Sequence, residues 1–173
     1  MTVPDEIDLE RHRDLVGRAS SRWWRRALIL ALLAVVILAL TNAFGQKPTL
    51  SIGRSSTASL SVRAPARLRG GLIYQARFEI RALRTLRNPS LVLGRGWLDG
   101  MTLNTLEPAP SSETSANGQL KLQLGRVAAG SLFVQFVELQ VNPTTVTRRH
   151  VQAWLLDGSE RVATLNRTIT VFP

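Results

Sequence analysis

Tyr74-Gln75-Ala76-Arg77-Phe78-Glu79-Ile80-Arg81-Ala82 decides the fold class. Apolar side chains occupy every second position, and charged or amide side chains occupy the positions between. That is the period of a strand with one face on a core and the other in water. Immediately upstream, Ala58, Leu60 and Val62 alternate with Ser59, Ser61 and Arg63, and Arg69-Gly70-Gly71 reads as the turn between the two runs.

Working outward, further short strands are expected at 90–93, 101–106, 119–124, 131–141, 146–156 and 162–172, separated by Gly, Pro, Asn and Ser clusters. About eight such runs without helical periodicity predict an all-β sandwich. Asp157-Gly158, set between two strand patterns, predicts a two-residue hairpin whose central positions want positive φ.

Three stretches carry a resemblance to a family: LIYQARFEIRALRTLRNPSLVL, GWLDGMTLNTLEPAP and GQLKLQLGRVAAGSLFVQFVELQV. Gly71 to Val141 resembles the bacterial Ig-like repeats of surface and envelope proteins, and Leu122 to Gly130 fits their Leu-x-Leu-Gly-x-Val-x-x-Gly element. The resemblance implies an Ig-like β-sandwich of about 7–8 strands, and so fold more than function. The chain departs from it in having a single copy and in lacking the acidic inter-strand residues that often bind calcium in such repeats. More loosely, the Val141 to Thr145 turn and the Val171 to Pro173 terminus are similar to those of small single-pass membrane proteins of high-GC bacteria.

Preceding the β region, Arg22-Trp23-Trp24-Arg25-Arg26 runs into an unbroken apolar stretch from Ala27 to Leu40. A transmembrane helix over 22–44 is expected, because Trp23 to Phe44 as a helix is about 33 Å long, enough for a hydrocarbon core of about 30 Å. Trp23, Trp24 and Phe44 suit the membrane interface, and Arg25 and Arg26 can extend towards headgroups. Six arginines precede the apolar run (Arg11, Arg13, Arg18, Arg22, Arg25, Arg26), against Lys47, Arg54 and Arg63 in the 20 residues from Gly45 to Ala64. By the positive-inside rule the N-terminus is cytoplasmic and the C-terminal domain extracytoplasmic, with the protein in the cell membrane. A signal peptide cut after Ala43, with Thr41 and Ala43 as its small residues, is the competing reading.

Residues 1–21 contain five acids and few apolar side chains, too little for a core, and read as a cytoplasmic arm. Residues 45–56, rich in Gly, Ser and Thr with Pro48, read as a linker, leaving 57–173 for the sandwich. No sorting signal follows the last strand pattern, so attachment is expected through the N-terminal helix.

The 173 residues contain no cysteine, which excludes disulfides, thiolate metal sites and thiol nucleophiles. The exported part has one histidine, His150, and no Gly-x-Ser-x-Gly turn, so a nucleophilic hydrolase lacks its base. Its carboxylates are Glu79, Asp99, Glu107, Glu113, Glu138, Asp157 and Glu160, too scattered for paired acid catalysis or a calcium loop. No enzyme activity, metal or cofactor is expected.

Charge is the remaining signal. Residues 45–173 carry 16 cations and 7 acids, and Arg63, Arg67, Arg69, Arg77, Arg81, Arg84 and Arg87 form a candidate cationic patch. Nucleic acid is not the expected partner, because Tyr74 and Phe78 among those arginines point inward and no stacking aromatic remains. Trp97 and Trp154 are either core residues or partner anchors. The expected function is a membrane-anchored binding or scaffolding module for a protein partner in the membrane or envelope. The alternative is a structural domain that docks its cationic face on anionic lipid or wall polymer.

Overall fold

The computed structural model describes residues 19–41 and 46–173. The cytoplasmic-arm reading over 1–18, the interfacial Phe44 and the alternative cleavage site at Ala43 lie outside the described residues. The chain divides into two compact units, Met1–Phe44 and Gly45–Pro173.

In the first unit, helix α1 spans Ala19–Leu40. No proline or glycine interrupts these 22 residues, so the helix begins before the expected boundary at position 22. At the other end the Thr41 hydroxyl donates to the Leu38 carbonyl (2.9 Å). Trp23–Leu40 has a mean hydropathy of 2.0, long and apolar enough to cross a membrane, and none of that stretch is buried against protein.

The second unit is a β-sandwich of two sheets. Its strands are β1 (Pro48–Arg54), β2 (Ala58–Pro65), β3 (Arg67–Arg69), β4 (Ile73–Ala82), β5 (Pro89–Leu93) and β6 (Met101–Glu107), followed by β7 (Ser112–Ala116), β8 (Gln119–Gln123), β9 (Leu132–Val141), β10 (Thr147–Asp157) and β11 (Glu160–Phe172). The first sheet has the order β1-β2-β4-β9-β6 and the second β3-β11-β10-β5-β8-β7. Taken in chain order, β2, β4, β5, β6, β9, β10 and β11 occupy the places of the seven strands A to G of an Ig fold. A-B-E-D forms one sheet and G-F-C the other. The domain is therefore an Ig-like β-sandwich.

Four strands are added to that seven-strand frame. β1 lines the free edge of β2, β3 pairs in parallel with the end of β11, and the β7–β8 hairpin extends the second sheet beyond β5. β4 sits in the middle of the first sheet, and its alternation is observed as read, with Tyr74, Ala76, Phe78, Ile80 and Ala82 buried. Against them from the second sheet lie Leu91, Leu93, Val151, Ala153, Leu155, Leu165 and Ile169, so the core is a continuous apolar layer without cysteine. Trp97, on a short 3₁₀ turn after β5, is fully buried and packs on Phe78 with ring centroids 5.3 Å apart.

All eight expected strands are present with small boundary shifts, but three more exist. The segment read as a linker contains β1. Its aliphatics Leu50 and Ile52 face outward, while Thr49, Ser51 and Gly53 face inward, the inverse of the usual half-buried pattern. Gly53 is required there by close approach: a Cβ at that position would stand 1.9 Å from the Thr164 carbonyl oxygen of β11. β3 is three residues long, and β7 is exposed along its whole length, so neither shows an apolar period.

The Asp157-Gly158 hairpin forms with a shift of one residue. Asp157 pairs with Glu160, so the two central residues are Gly158 and Ser159, with φ +63° at Gly158. Asp157 lies before the turn, and its carboxylate accepts hydrogen bonds from the backbone N–H groups of Arg87 (3.2 Å) and Asn88 (2.6 Å).

Candidate functional site

β1, β2, β4 and β9 build a mixed surface on the outward side of the first sheet. Cross-strand register sets Leu50 beside Arg63, Arg63 beside Arg77, and Arg77 beside Phe136. A second row runs Ile52, Ser61, Glu79 and Val134, and a third Arg54, Ser59, Arg81 and Leu132. Leu50, Ile52, Ile73 and Leu132 on this face are 53, 46, 53 and 47% exposed. The sheet surface thus interleaves arginines with uncovered aliphatic side chains. Arg77 is partly engaged within it: its Nε lies 3.0 Å from a Glu79 carboxylate oxygen, and its guanidinium lies 5.8 Å from the Phe136 ring centre.

The seven arginines expected as one patch are distributed over both sheets. Arg63, Arg77 and Arg81 share the outward face of the first sheet. Arg67 and Arg69 flank the buried Leu68 on β3, and so face outward from the second sheet. The chain changes sheet between Pro65 and Arg67, which separates residues that are neighbours in sequence. Arg84 and Arg87 are exposed in the β4–β5 connection.

Another surface feature was not read from the sequence. On the outward side of the second sheet, a depression of about 340 Å³ has Val92, Ala116 and Leu156 as apolar lining, Trp154 and Arg161 on one side, and Lys121 on the other. A second depression of about 280 Å³, lined by Arg95, His150 and Gln152 among others, shares Gln119 and Trp154 with it. The β7–β8 hairpin forms the far wall. It turns on Asn117 (φ +53°) and Gly118 (φ +71°), and Arg95 Nε donates to the Asn117 carbonyl (2.8 Å), pinning the hairpin tip to the segment after β5. The Asn117-Gly118 pair was the available signal, since such a dipeptide favours a hairpin even between polar strands. Trp154 is part of this wall rather than the core: Arg161 lies over its ring at 5.1 Å, and a Cβ at Gly94 would stand 3.2 Å from its Cη2.

Between the sheets lies an unexpected cation. Arg167 on β11 points inward and is 7% exposed. Its Nη2 donates to the Ala64 carbonyl (2.8 Å) and to Thr49 Oγ1 (3.0 Å), and the guanidinium lies 6.0 Å from the Trp97 ring centre. Burial pulls its pKa below the ordinary arginine range, with the Tyr74 hydroxyl acting in the opposite direction. Tyr74, whose hydroxyl lies 3.1 Å from Met101 Sδ, has its phenol pKa raised by burial, opposed by Arg167 and Arg149.

His150 is an exposed strand residue whose Nδ1 lies 3.0 Å from Thr168 Oγ1, the residue opposite it in register. Among the described residues no group of three or more His, Cys, Asp or Glu side chains could hold a metal ion.

No protein-family model and no curated protein matches the sequence. Solved structures with a similar outline include a cohesin module from a Clostridium perfringens family 33 glycoside hydrolase, 12% identical over 68% of this chain and 98% of that one, TM-score 0.45. Others are a Niemann-Pick type C2 protein from the Japanese carpenter ant (5% identical, 61% and 79% covered, TM-score 0.40) and a non-cellulosomal cohesin from Archaeoglobus fulgidus (12%, 72% and 92%, TM-score 0.38). At these TM-scores the likenesses are of outline only.

Proposed function

We propose that the chain is a single-pass membrane protein whose helix anchors an extracytoplasmic Ig-like binding module, and that the outward face of the first sheet docks another membrane or envelope protein. The observation that carries the reading is the set of exposed Leu50, Ile52, Ile73 and Leu132 among Arg63, Arg77 and Arg81. An outward sheet face is normally polar, whereas aliphatic and aromatic side chains interleaved with arginine are the composition of a protein interface. The long apolar helix and the arginine excess before it support anchoring with a cytoplasmic N-terminus, Trp23, Trp24, Arg25, Arg26 and Phe44 sitting at the interfaces. Binding rather than catalysis is favoured by the scattered carboxylates and single exported histidine.

A second reading has its own support. β1 starts eight residues after Leu40, and it carries Leu50 and Ile52 on its outward side beside arginines. The same face would then rest on anionic lipid headgroups. Wall polymer is the more distant variant.

Crosslinking and capture of the full-length protein from native membranes tests the proposal. Comparison is with a version carrying an unrelated transmembrane helix and with the Ile52→Asp/Leu132→Asp variant. A partner retained after the helix swap and lost in the sheet variant is the expected result. A partner lost only on the swap would move recognition to the helix. No partner, with salt-sensitive binding to anionic vesicles, would favour the lipid reading. The mass of the membrane-extracted chain shows whether the helix is retained or cleaved.

A further inference from the structure

We infer that the trough on the outward side of the second sheet is a binding site for an extended, acidic segment of a partner polypeptide. It lies on the opposite side of the sandwich from the proposed docking face and stands or falls separately from it.

The trough is a consequence of the hairpin inserted between two strands of the seven-strand frame. Between β6 and β9 the chain returns to the second sheet as the β7–β8 hairpin, and Arg95 holds the hairpin tip through the Asn117 carbonyl. The two depressions share Gln119 and Trp154 as lining, and between them they border β10 from Leu156 to His150. Seven strand residues cover roughly 20 Å, the reach of a six- or seven-residue extended peptide.

Chemistry selects the occupant. Lys121 and Arg161 face each other across an apolar lining of Val92, Ala116 and Leu156, Arg95 stands at the other end, and no carboxylate lines either depression. A ligand that buries an apolar side chain there must therefore bring negative charge, or Lys121 and Arg161 lose hydration without compensation. An extended peptide meets both needs, since successive side chains alternate between the sheet surface and the walls. A sugar polymer is disfavoured because Trp154 is not a free stacking plate: Arg161 already covers its ring, and its outer edge rests on Gly94.

The full-length protein in zwitterionic lipid nanodiscs is titrated with a fluorescently labelled peptide of alternating glutamate and leucine. Its lysine-leucine counterpart and polygalacturonate are titrated in parallel. The Lys121→Gln/Arg161→Gln variant should weaken the acidic peptide about tenfold or more, equivalent to about 1.4 kcal/mol. Arg63→Gln/Arg81→Gln on the opposite sheet should leave it unchanged, and the lysine peptide should not bind. To separate binding from folding, the unfolding midpoint of each variant is measured alongside, and Ala116→Glu provides an independent block of the apolar lining. Four outcomes would overturn the inference: no binding of the acidic peptide, equal weakening by both arginine-containing variants, an undisturbed affinity in the trough variants, or binding of polygalacturonate in its place.

Discussion

Tyr74 is the only tyrosine in the chain, so its ionisation can be followed alone through tyrosinate absorbance. An exposed phenol is half-ionised near pH 10. Burial raises the Tyr74 value above that, so the phenol is expected to stay protonated at pH 10 in the folded domain. The linked effect on stability follows in sign. The folded state holds the proton more tightly than the unfolded chain, so stability is complete below about pH 10 and is lost as pH rises above it towards the folded value. Tyr74→Phe should remove that alkaline loss, read as a denaturation midpoint that is level up to about pH 10 in both proteins and falls above it more steeply in the parent than in the variant. With only two lysines, few other groups titrate in the same window.

Arg167 makes a second residue-level prediction. Its inward position was legible from the alternation of Leu165, Ile169 and Val171 around it, but an arginine in that slot contradicts the usual chemistry of an inner face. Its acceptors come from β1 and β2, strands of the other sheet. Thr49→Val should cost about 1–2 kcal/mol by removing one acceptor from a buried guanidinium. In an Arg167→Met background the same change should cost less, because the shared hydrogen bond is already gone and only the bond from the Thr49 hydroxyl to the Ala64 carbonyl (3.2 Å) is left to lose. Chemical denaturation of the four members of that cycle measures the coupling.

Among the elements, the ones whose alternation buries large side chains were readable, and the ones that pack otherwise were not. β1 presents small residues inward because β11 lies against its backbone at Gly53. Gly53→Ala should therefore destabilise the domain by about 2–3 kcal/mol, since the added methyl meets backbone atoms that cannot rotate away. Asp157 shows how a turn residue can act on another element. Its carboxylate satisfies two N–H groups of the β4–β5 connection, so Asp157→Ala should cost about 2 kcal/mol, with Asp157→Asn losing less. Thermal melting of the three variants checks both expectations.

For the whole molecule, the division into two units predicts that residues 46–173 fold alone with a single cooperative unfolding transition. A chain beginning at residue 57 should melt lower, because it lacks β1 and the contacts of Thr49 and Gly53 with β11. The apolar helix, the strand periods and the exclusion of thiol chemistry were determined by the sequence alone, since each depends only on local spacing or composition. Tertiary structure decided which side chains share a surface. The period of a strand tells which residues face the same way, but the sheet each strand joins is set by long-range packing. That is why Arg63 and Arg67, four residues apart, face opposite sides of the sandwich. For the same reason Lys121 and Arg161, forty residues apart, face each other across a trough.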